Sequence, residues 1–480
     1  MKFIIMVFFL TLSQPCLCGK HQWSLQELFD IALGSSHQKH LNQGAENEIT
    51  LLNRDLHKKF SSDLSHEIFY EKNENQSIGL YDPGERQKIG MNHTVKKKFS
   101  TGTSLTSNLS VVDSSARSNH LKTRGVEASL EIKIEQDLLK NKWGKEYELS
   151  RAKNEFVSQQ KKLEQIKIQH DLFMDILHAA TLVEQKKLSY EAAYEALQRD
   201  DDLAEIYRKK SQDGMISTEE TLQIDSQLLQ DRNDLEVRKL ELVSAWSALS
   251  LRIYTDIIKG EDVAGLYLNL PSPSIDFKIC SIQYPLLYEN HPEYRIVSSK
   301  VQKSQIEMEI IRESLRAESK FSVASRFNHV DSHAGGALSQ LGHPRWQVNL
   351  SLQYHFESPE QNSLYRRKVY EKKSLEIQQE ILKQKISSEK EILCHTWEQQ
   401  KNNLQNQKNI VHLAKNFLEK NQLSYRNGVL SFAALSAAEK SYIQKKEALG
   451  LLALQMKKTQ WKMLYALGLD LRDGKANYTG

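Results

Sequence analysis

The chain has 480 residues, of which 39% are hydrophobic and 26% are charged, and it contains only 8 prolines and 20 glycines. This composition excludes collagen-like chains, disulfide-dense scaffolds and proteins with many membrane-spanning helices, and it favours long helices with narrow apolar stripes. The formal net charge of +4, from 65 basic and 61 acidic residues, gives no electrostatic indication of nucleic-acid binding.

The first 19 residues have the organisation of a secretory signal peptide. Lys2 provides the positive charge, residues 3–12 form a short apolar segment, and small residues follow at Cys16 and Cys18. We expect cleavage after Cys18 or Gly19 and export of the rest of the chain. A retained anchor is the alternative, but the apolar segment is too short to span a membrane as a helix.

The exported chain keeps two cysteines, Cys280 and Cys394. Two distant cysteines do not indicate a disulfide framework, so we expect two free thiols, with a single bridge as the alternative. The sequence has no second apolar run of about 18 residues, so any membrane insertion has to use β-strands.

The glycines predict two helical hairpins. Gly214 is the only glycine in 145–259, and Gly428 is the only one in 343–449. Two helix-length stretches that are each interrupted by one glycine are typical of antiparallel helix pairs that turn at that glycine.

The register of the apolar residues supports a duplication. Ser217 and Ser431 each lie three residues after the glycine, where a serine can cap the returning helix. A seven-residue apolar seam, which is typical of a coiled coil, follows both glycines in the same phase. Its positions are Leu228, Leu235, Leu242 and Leu249 in the first half, and Tyr442, Leu449, Met456 and Met463 in the second.

Segments of alternating apolar and polar residues precede each predicted hairpin. They are clear at 126–135 and 346–356 and fainter at 64–71 and 321–330. One wholly polar face fits a strand between lipid and water, and a tilted membrane-crossing strand needs ~9–11 residues. A soluble antiparallel sheet is the alternative. The export signal and the aromatic residues at the ends of 346–356 favour the membrane.

The predicted fold class is mainly α with membrane β, built as a duplicated unit of strands and a helical hairpin. The expected helices are about 23–60, 138–212, 217–254, 292–319, 363–426 and 431–467. We expect a first repeat at 20–285, with strands in about 62–136 and a connector at 255–285, a second repeat at 286–470, with strands in about 320–357, and a tail at 471–480. About four strands cannot close a barrel, and lipid does not tolerate open edges, so several copies must share one.

Three motifs in this order and spacing resemble the TolC family of outer-membrane factors. They are Trp23-Ser24-Leu25-Gln26-Glu27-Leu28, Gly214-Met215-Ile216-Ser217 and Tyr425-Arg426-Asn427-Gly428-Val429-Leu430-Ser431. The resemblance covers nearly the whole mature chain. It implies a homotrimer in the outer membrane of a Gram-negative bacterium, in which three chains of four strands close a lipid-embedded β-barrel above an α-helical periplasmic tunnel.

The resemblance also implies a passive, non-enzymatic exit duct for tripartite efflux or type I secretion, with an inner-membrane pump and a periplasmic adaptor as partners. Its periplasmic turns imply adaptor docking at Gly214, Met215, Gly428, Val429 and Leu430. Exposed apolar residues beside a glycine suit such docking because another backbone can approach closely. The alternatives are a periplasmic coiled-coil tether that forms no channel, and an adaptor protein.

The resemblance further implies a periplasmic gate, for which the matching residues are Tyr425 and Glu220. A tyrosine hydroxyl that donates to a carboxylate forms a charge-assisted bond that adaptor binding can break. The chain departs from the family because Leu430 stands where the family has an arginine, and Ala434 and Ala437 stand where carboxylates are expected. The gate here is therefore expected to have fewer links.

The remaining polar groups give weaker indications. Asp200, Asp201 and Asp202 are expected to form a lumen charge that favours cations once symmetry multiplies it, with a solvated helix face as the equal alternative. The histidine pairs, His37 with His40 and His329 with His333, are attributed to coincidence. No nucleophile elbow, phosphate loop or CxxC motif is present, so we expect no catalytic site, no cofactor and no metal.

Overall fold

The computed structural model describes residues 22–74, 85–117, 122–213, 217–255, 265–273, 280, 288–342, 344–353, 359–427 and 429–468. The predicted signal peptide, the tail at 471–480 and the turn residues Gly214, Met215 and Gly428 lie outside the described residues. The helices are α1 Leu25–Gly34, α2 Ser36–Lys58, α3 Lys145–Gln212, α4 Thr218–Ile253, α5 Pro292–Ser314, α6 Ala334–Ser339, α7 Pro359–Arg426 and α8 Phe432–Ala466. The strands are β1 Gln22–Ser24, β2 Ser62–Glu74, β3 Glu85–Lys98, β4 Thr103–Arg117, β5 Lys122–Asp137, β6 Tyr267–Asn269, β7 Glu318–Asp331 and β8 Arg345–Gln353.

The chain forms two compact units. The helical unit contains the described residues up to Gln43, those of Gln165–Tyr294 and those from Leu382 onward; the sheet unit is Gly44–Glu164 with Arg295–Ile381. Each unit draws on both predicted halves of the chain. The division into repeats at 20–285 and 286–470 therefore stays a prediction.

The helix starts follow the capping predictions. The hydroxyl of Ser217 accepts a hydrogen bond from the amide of Glu220 at 3.2 Å. The hydroxyl of Ser431 accepts one from the amide of Ala434 at 3.4 Å. These bonds satisfy amides that have no partner inside the helix. The N-terminal segment, predicted as one helix, is interrupted at Ser35, where the backbone is extended.

The predicted heptad seam is buried or half-buried along its length in the helical unit. None of the eight seam positions is exposed, and Leu228, Leu242, Leu249 and Met463 are buried. Large aromatic side chains complete this core: the rings of Phe29 and Phe173 lie 5.2 Å apart, and those of Phe173 and Trp461 lie 5.1 Å apart. Strands β1 and β6 form a short parallel pair in the same unit.

The helical unit also contains a disulfide between Cys280 and Cys394, whose Cα atoms are 5.7 Å apart. The expectation of two free thiols is wrong. The cysteines are 114 residues apart in sequence, and Cys394 lies on α7. Only packing brings the segment of Cys280 within the 4.4–6.8 Å Cα separation that a disulfide usually requires.

The sheet unit contains a six-stranded antiparallel sheet in the order β2-β3-β4-β5-β7-β8. The predicted segments 64–71, 126–135 and 321–330 lie within β2, β5 and β7, and 346–353 lies within β8, while 354–356 falls outside the described residues. The expectation of about four strands is wrong, because β3 and β4 occupy most of the long connection after β2. Their apolar positions are interrupted by residues such as His93 and Ser107, which weakens the alternating pattern.

Among the described residues, no helix combines the length and the apolar content that crossing a membrane would require.

Candidate functional site

The strand register gives the sheet one apolar face. Residues that lie directly opposite each other on neighbouring strands point to the same side of a sheet. This rule places one set of alternating residues from all six strands together, and we call it the apolar face. Its apolar members are Leu64, Ile68, Tyr70, Ile89, Met91, Val95, Leu105, Leu109, Val111, Val126, Ala128, Leu130, Ile132, Ile134, Phe321, Val323, Phe327, Trp346, Val348, Leu350 and Leu352.

The opposite side, the polar face, carries mostly hydrophilic residues. Members of neighbouring strands interact across it: the Thr94 hydroxyl donates to the Asn108 amide oxygen at 3.0 Å, and the Asn92 amide donates to Glu67 at 3.3 Å. Other members are Glu71, Lys88, Thr106, Ser110, Glu127, Ser129, Glu131, Lys133, Ser322, Arg326, Asn328, Gln347, Asn349 and Ser351. The two sides of the sheet therefore suit two different solvents.

Much of the apolar face is uncovered in the single chain. Ile68 is 83% exposed, Leu350 is 71% exposed and every residue of β8 is exposed. Helix α6 covers part of the face, because the buried Ala337 packs against Val126 and Ala128. A contiguous exposed apolar surface of this extent marks contact with lipid or with another protein.

The turn of the second hairpin presents one exposed apolar side chain. Val429 is 81% exposed, whereas Leu430 is half-buried and packs in a cluster with Leu418 and Leu435. Since Gly214, Met215 and Gly428 lie outside the described residues, Val429 is the one described residue of the predicted docking set that is exposed.

Tyr425 lies in an aromatic cluster beside this turn. Its ring stacks on that of Tyr207 at 6.0 Å, and Tyr207 meets Phe432 edge-on at 4.9 Å. The Tyr207 hydroxyl donates a hydrogen bond to that of Tyr425. Burial raises the pKa of Tyr425, the hydrogen bond from Tyr207 partly offsets this, and the negative charge of Glu220 raises it further. Burial, together with the hydrogen bond to Tyr425, also raises the pKa of Tyr207. Both phenols are therefore neutral at physiological pH.

The sequence interpretation missed Tyr207. A signal for it was present, because Tyr207 lies seven residues before Gly214, one heptad away from the turn. Glu220 acts on Tyr425 electrostatically in this cluster. The predicted Tyr425–Glu220 gate stays a prediction, and Tyr207 is an additional candidate for it.

The predicted lumen charge does not form one exposed group. Asp201 and Asp202 are exposed, but Asp200 is 1% exposed. Asp200 instead accepts hydrogen bonds from Arg199 at 2.7 and 2.9 Å, and the Arg199 guanidinium also contacts Glu439 of α8 at 3.0 Å. Asp200 is therefore part of a buried ionic cluster, and only Asp201 and Asp202 remain candidates for a lumen charge.

This ionic cluster joins all four long helices of the helical unit. Gln422 of α7 donates to Glu439 at 3.3 Å, and Asp231 of α4 shares a hydrogen bond with Asp200 of α3. Burial and the neighbouring Asp200 carboxylate raise the pKa of Asp231 to about 7. Three carboxyl groups thus face a single guanidinium, and the Asp200–Asp231 pair holds a proton below neutral pH.

Within the described part of the chain, no three His, Cys, Asp or Glu side chains are grouped so that they could hold a metal ion.

Comparisons with known proteins give the same architecture. No family model and no curated protein matches the sequence. Solved structures match at low identity and high coverage. The outer-membrane protein VceC of Vibrio cholerae is 12% identical with a TM-score of 0.64, covering 92% of this chain and 96% of its own.

Two further structures are outer-membrane channels. CmeC of Campylobacter jejuni is 11% identical with a TM-score of 0.64, covering 92% of this chain and 85% of its own. The open state of MtrE of Neisseria gonorrhoeae is 13% identical with a TM-score of 0.62, covering 93% and 89%. The chain has the fold of a TolC-family outer-membrane channel. The TolC-family fold of the single chain is therefore confirmed, whereas barrel closure and the trimer stay predictions, and at this identity the likeness concerns the fold alone.

Proposed function

We propose that this protein is the subunit of an outer-membrane channel. The channel passively conducts small molecules or polypeptides and serves as the exit duct of a tripartite efflux or type I secretion system. The observation that carries the proposal is the two-faced sheet, with one apolar and one polar face running through six strands. Lipid on one side and water on the other is the environment that such alternation serves.

The location follows from the same surface. The apolar face is 83% exposed at Ile68 and 71% exposed at Leu350. Its exposure to water is unfavourable, and its transfer into hydrocarbon lowers the free energy. In the large sheet, β8 has 9 residues and the other five strands have 13–16. All six therefore reach the ~9–11 residues that a tilted membrane crossing needs. Helices α3 and α7 have 68 residues each, enough for about 100 Å of periplasmic tunnel wall.

A homotrimer is the assembly we propose. Among the described residues, β2 and β8 each have a neighbouring strand on one side only, and lipid does not tolerate such open edges. The helices also carry exposed apolar residues that further copies would cover: Leu222, Leu229, Leu240 and Leu251 on α4, and Ile410, Leu413 and Phe417 on α7.

The partners we propose are a periplasmic adaptor and an inner-membrane pump. The exposed Val429 at the turn after α7 offers the adaptor an apolar anchor, and Gly214, Met215, Gly428 and Leu430 complete the proposed docking set. A coiled-coil tether or an adaptor would have no use for a two-faced membrane sheet, so these alternatives are disfavoured.

Lysine substitutions at two adjacent positions of β8 test the proposed function. Leu350→Lys places a charge on the apolar face, which costs about 2–4 kcal/mol at the bilayer midplane, whereas Asn349→Lys places it on the polar face. We expect Leu350→Lys to lose heat-modifiable oligomers from outer-membrane fractions and Asn349→Lys to keep them. Purified wild-type protein should conduct ions in planar bilayers. Equal tolerance of both variants, or a soluble wild-type monomer, would contradict the proposal.

The proposed gate consists of Tyr425 and Glu220. Tyr207 of α3 supports it by stacking on the Tyr425 ring. Phenylalanine at position 425 keeps the stacking on Tyr207 but removes the hydroxyl, so we expect Tyr425→Phe to raise single-channel conductance or open probability. Tyr442→Phe, on the same helical hairpin, is the matched control. Unchanged conductance in Tyr425→Phe would remove Tyr425 from the gate.

A further inference from the structure

The two edge strands of the sheet are complementary in direction. Each strand runs antiparallel to its neighbour, and the sheet has an even number of strands. Strand β8 therefore runs opposite to β2. When copies are related by rotation about a common axis, β8 of one copy can pair with β2 of the next without breaking the antiparallel alternation.

From this arrangement we infer that each copy contributes six membrane strands, and that β8 pairs with β2 of the next copy to close a barrel of eighteen strands. This inference rests on the proposed trimeric channel. It differs from the twelve strands that the sequence resemblance implied, and it assigns β3 and β4 to the membrane instead of to an external loop.

The backbone of the β3–β4 hairpin is fully integrated in the sheet. The register runs from Ser62 opposite Lys97 to Glu74 opposite Glu85 on one side, and from Thr103 opposite Gln136 to Arg117 opposite Lys122 on the other. A loop that merely rests against a sheet would not be paired along the whole length of both neighbouring strands.

Side chains hold the hairpin in this register. The Phe69 ring of β2 lies over Gly90 of β3, where an added Cβ would come within 2.7 Å of the ring. An aromatic ring that covers a glycine on the facing strand specifies one register. The bond from Thr94 to Asn108 joins β3 to β4, and the Arg124 guanidinium of β5 contacts Asp113 of β4 at 2.6 Å.

The surface chemistry of the hairpin also matches that of the other strands. Ile89, Met91 and Val95 of β3 continue the apolar face, and Ile89 is 58% exposed. In an external loop these side chains would meet water without any compensating burial. Because β3 and β4 have 14 and 15 residues, they also exceed the length that a membrane crossing needs.

The number of strands sets the width of the barrel lumen and therefore the size of the transported substrate. Barrel diameter grows roughly in proportion to strand number, so eighteen strands give a lumen about 1.5 times as wide as twelve at the same tilt, and barrels of 16–18 strands hold an aqueous channel. The membrane part would then admit solutes of large cross-section, including unfolded polypeptides.

Cysteine pairs in the full-length protein test the edge pairing. Asn349→Cys on β8 is combined with a cysteine at Asp63, Ser65 or Glu67 of β2, all on the polar face. We expect one combination to yield disulfide-linked dimers and trimers on non-reducing gels. Asn349→Cys combined with Asn92→Cys of β3, one strand further away, is the matched control and should not cross-link.

A second pair tests the strand number. With β3 and β4 between them, β2 and β5 are three strand spacings apart, about 14 Å, which is too far for a disulfide. A bond between Glu67→Cys and Glu131→Cys within one chain would show that β3 and β4 have left the sheet. That result overturns the inference but leaves a twelve-stranded trimeric channel intact.

Electron microscopy of the wild-type particle keeps the test independent of the variants. Eighteen strands in the membrane region support the inference, and twelve overturn it. A trimer in which no β8–β2 combination cross-links overturns the edge pairing, whereas a particle without any membrane barrel overturns the proposed function as well.

Discussion

The two halves of the chain agree closely in their helices and disagree in their strands. Helices α3 and α7 both have 68 residues, and the returning helices α4 and α8 have 36 and 35. The first half contributes four strands to the large sheet, however, and the second half contributes two. Neighbouring helices of similar length can keep their apolar seams in contact from end to end. A sheet accepts two additional strands because a whole hairpin preserves the antiparallel alternation.

The strand difference is best tested by deletion, for which we expect the largest effect. Removing 85–117 deletes β3 and β4 together and leaves β2 and β5 antiparallel. We expect trimers that still insert but conduct less, in planar-bilayer recordings. Removing 85–102 deletes β3 alone, reverses the alternation and should abolish assembly. If both deletions behaved alike, assembly of this sheet would not depend on an even number of strands.

The two helical hairpins also differ at the position of Arg199, which predicts a smaller effect. Arg199 lies 15 residues before Gly214, and the residue 15 before Gly428 is the exposed Leu413. Arg199→Leu leaves the buried Asp200 and Glu439 without their cation, so we expect a loss of about 3–5 kcal/mol in the free energy of unfolding.

Thermal melting followed by circular dichroism measures this loss. The control is Arg232→Leu, because Arg232 pairs with Asp201 at 3.6 Å and both side chains are more than half exposed. An exposed pair contributes no more than about 1 kcal/mol. A similar melting temperature for the two variants would show that the ionic cluster does not join the hairpins.

The same cluster predicts a pH dependence, the smallest of these effects. The pKa of Asp231 is about 7 in the folded protein, against 3.8 for an ordinary aspartate. Between these values the folded chain holds a proton that the unfolded chain has lost. The stabilisation is therefore fully present below about pH 4 and is lost as the pH rises towards 7.

Asp231→Asn keeps a neutral hydrogen-bonding group and removes this titration. We expect the melting temperature of the wild type to fall between pH 5 and 7.5 more steeply than that of Asp231→Asn. Asp234→Asn, on the same helix at a more exposed position, is the control and should follow the wild type. Parallel curves for all three proteins would exclude Asp231 as the group responsible.

Much of the helical architecture was predictable because its signals are local. The Ser217 and Ser431 caps and the seven-residue seam depend on residues within a few turns of one another. The gate region was less predictable. Tyr425 followed from a turn motif, and the heptad spacing from Gly214 was a signal for Tyr207, but the contact between the two rings depends on how α3 and α7 pack.

The strand number failed as a prediction for a physical reason. In β3 and β4, residues such as His93 and Ser107 interrupt the alternation, so each strand alone gives a weak pattern. The apolar face becomes continuous only when the six registers are aligned. The prediction of a lumen charge at Asp200 failed for a similar reason. Three consecutive aspartates look alike in sequence, and only packing buries one of them.

Local sequence patterns were sufficient for the periodicities: the caps of the two returning helices, the seven-residue seam after each turn, and the alternation in β5 and β8. These follow from the 3.6- and 2-residue repeats of the backbone, which act over short distances. The tertiary structure alone decided that Cys280 meets Cys394, that Arg199 bridges to Glu439, and that six strands share one sheet. Each of these depends on segments distant in the chain, whose meeting is set by how the whole fold excludes water from its interior.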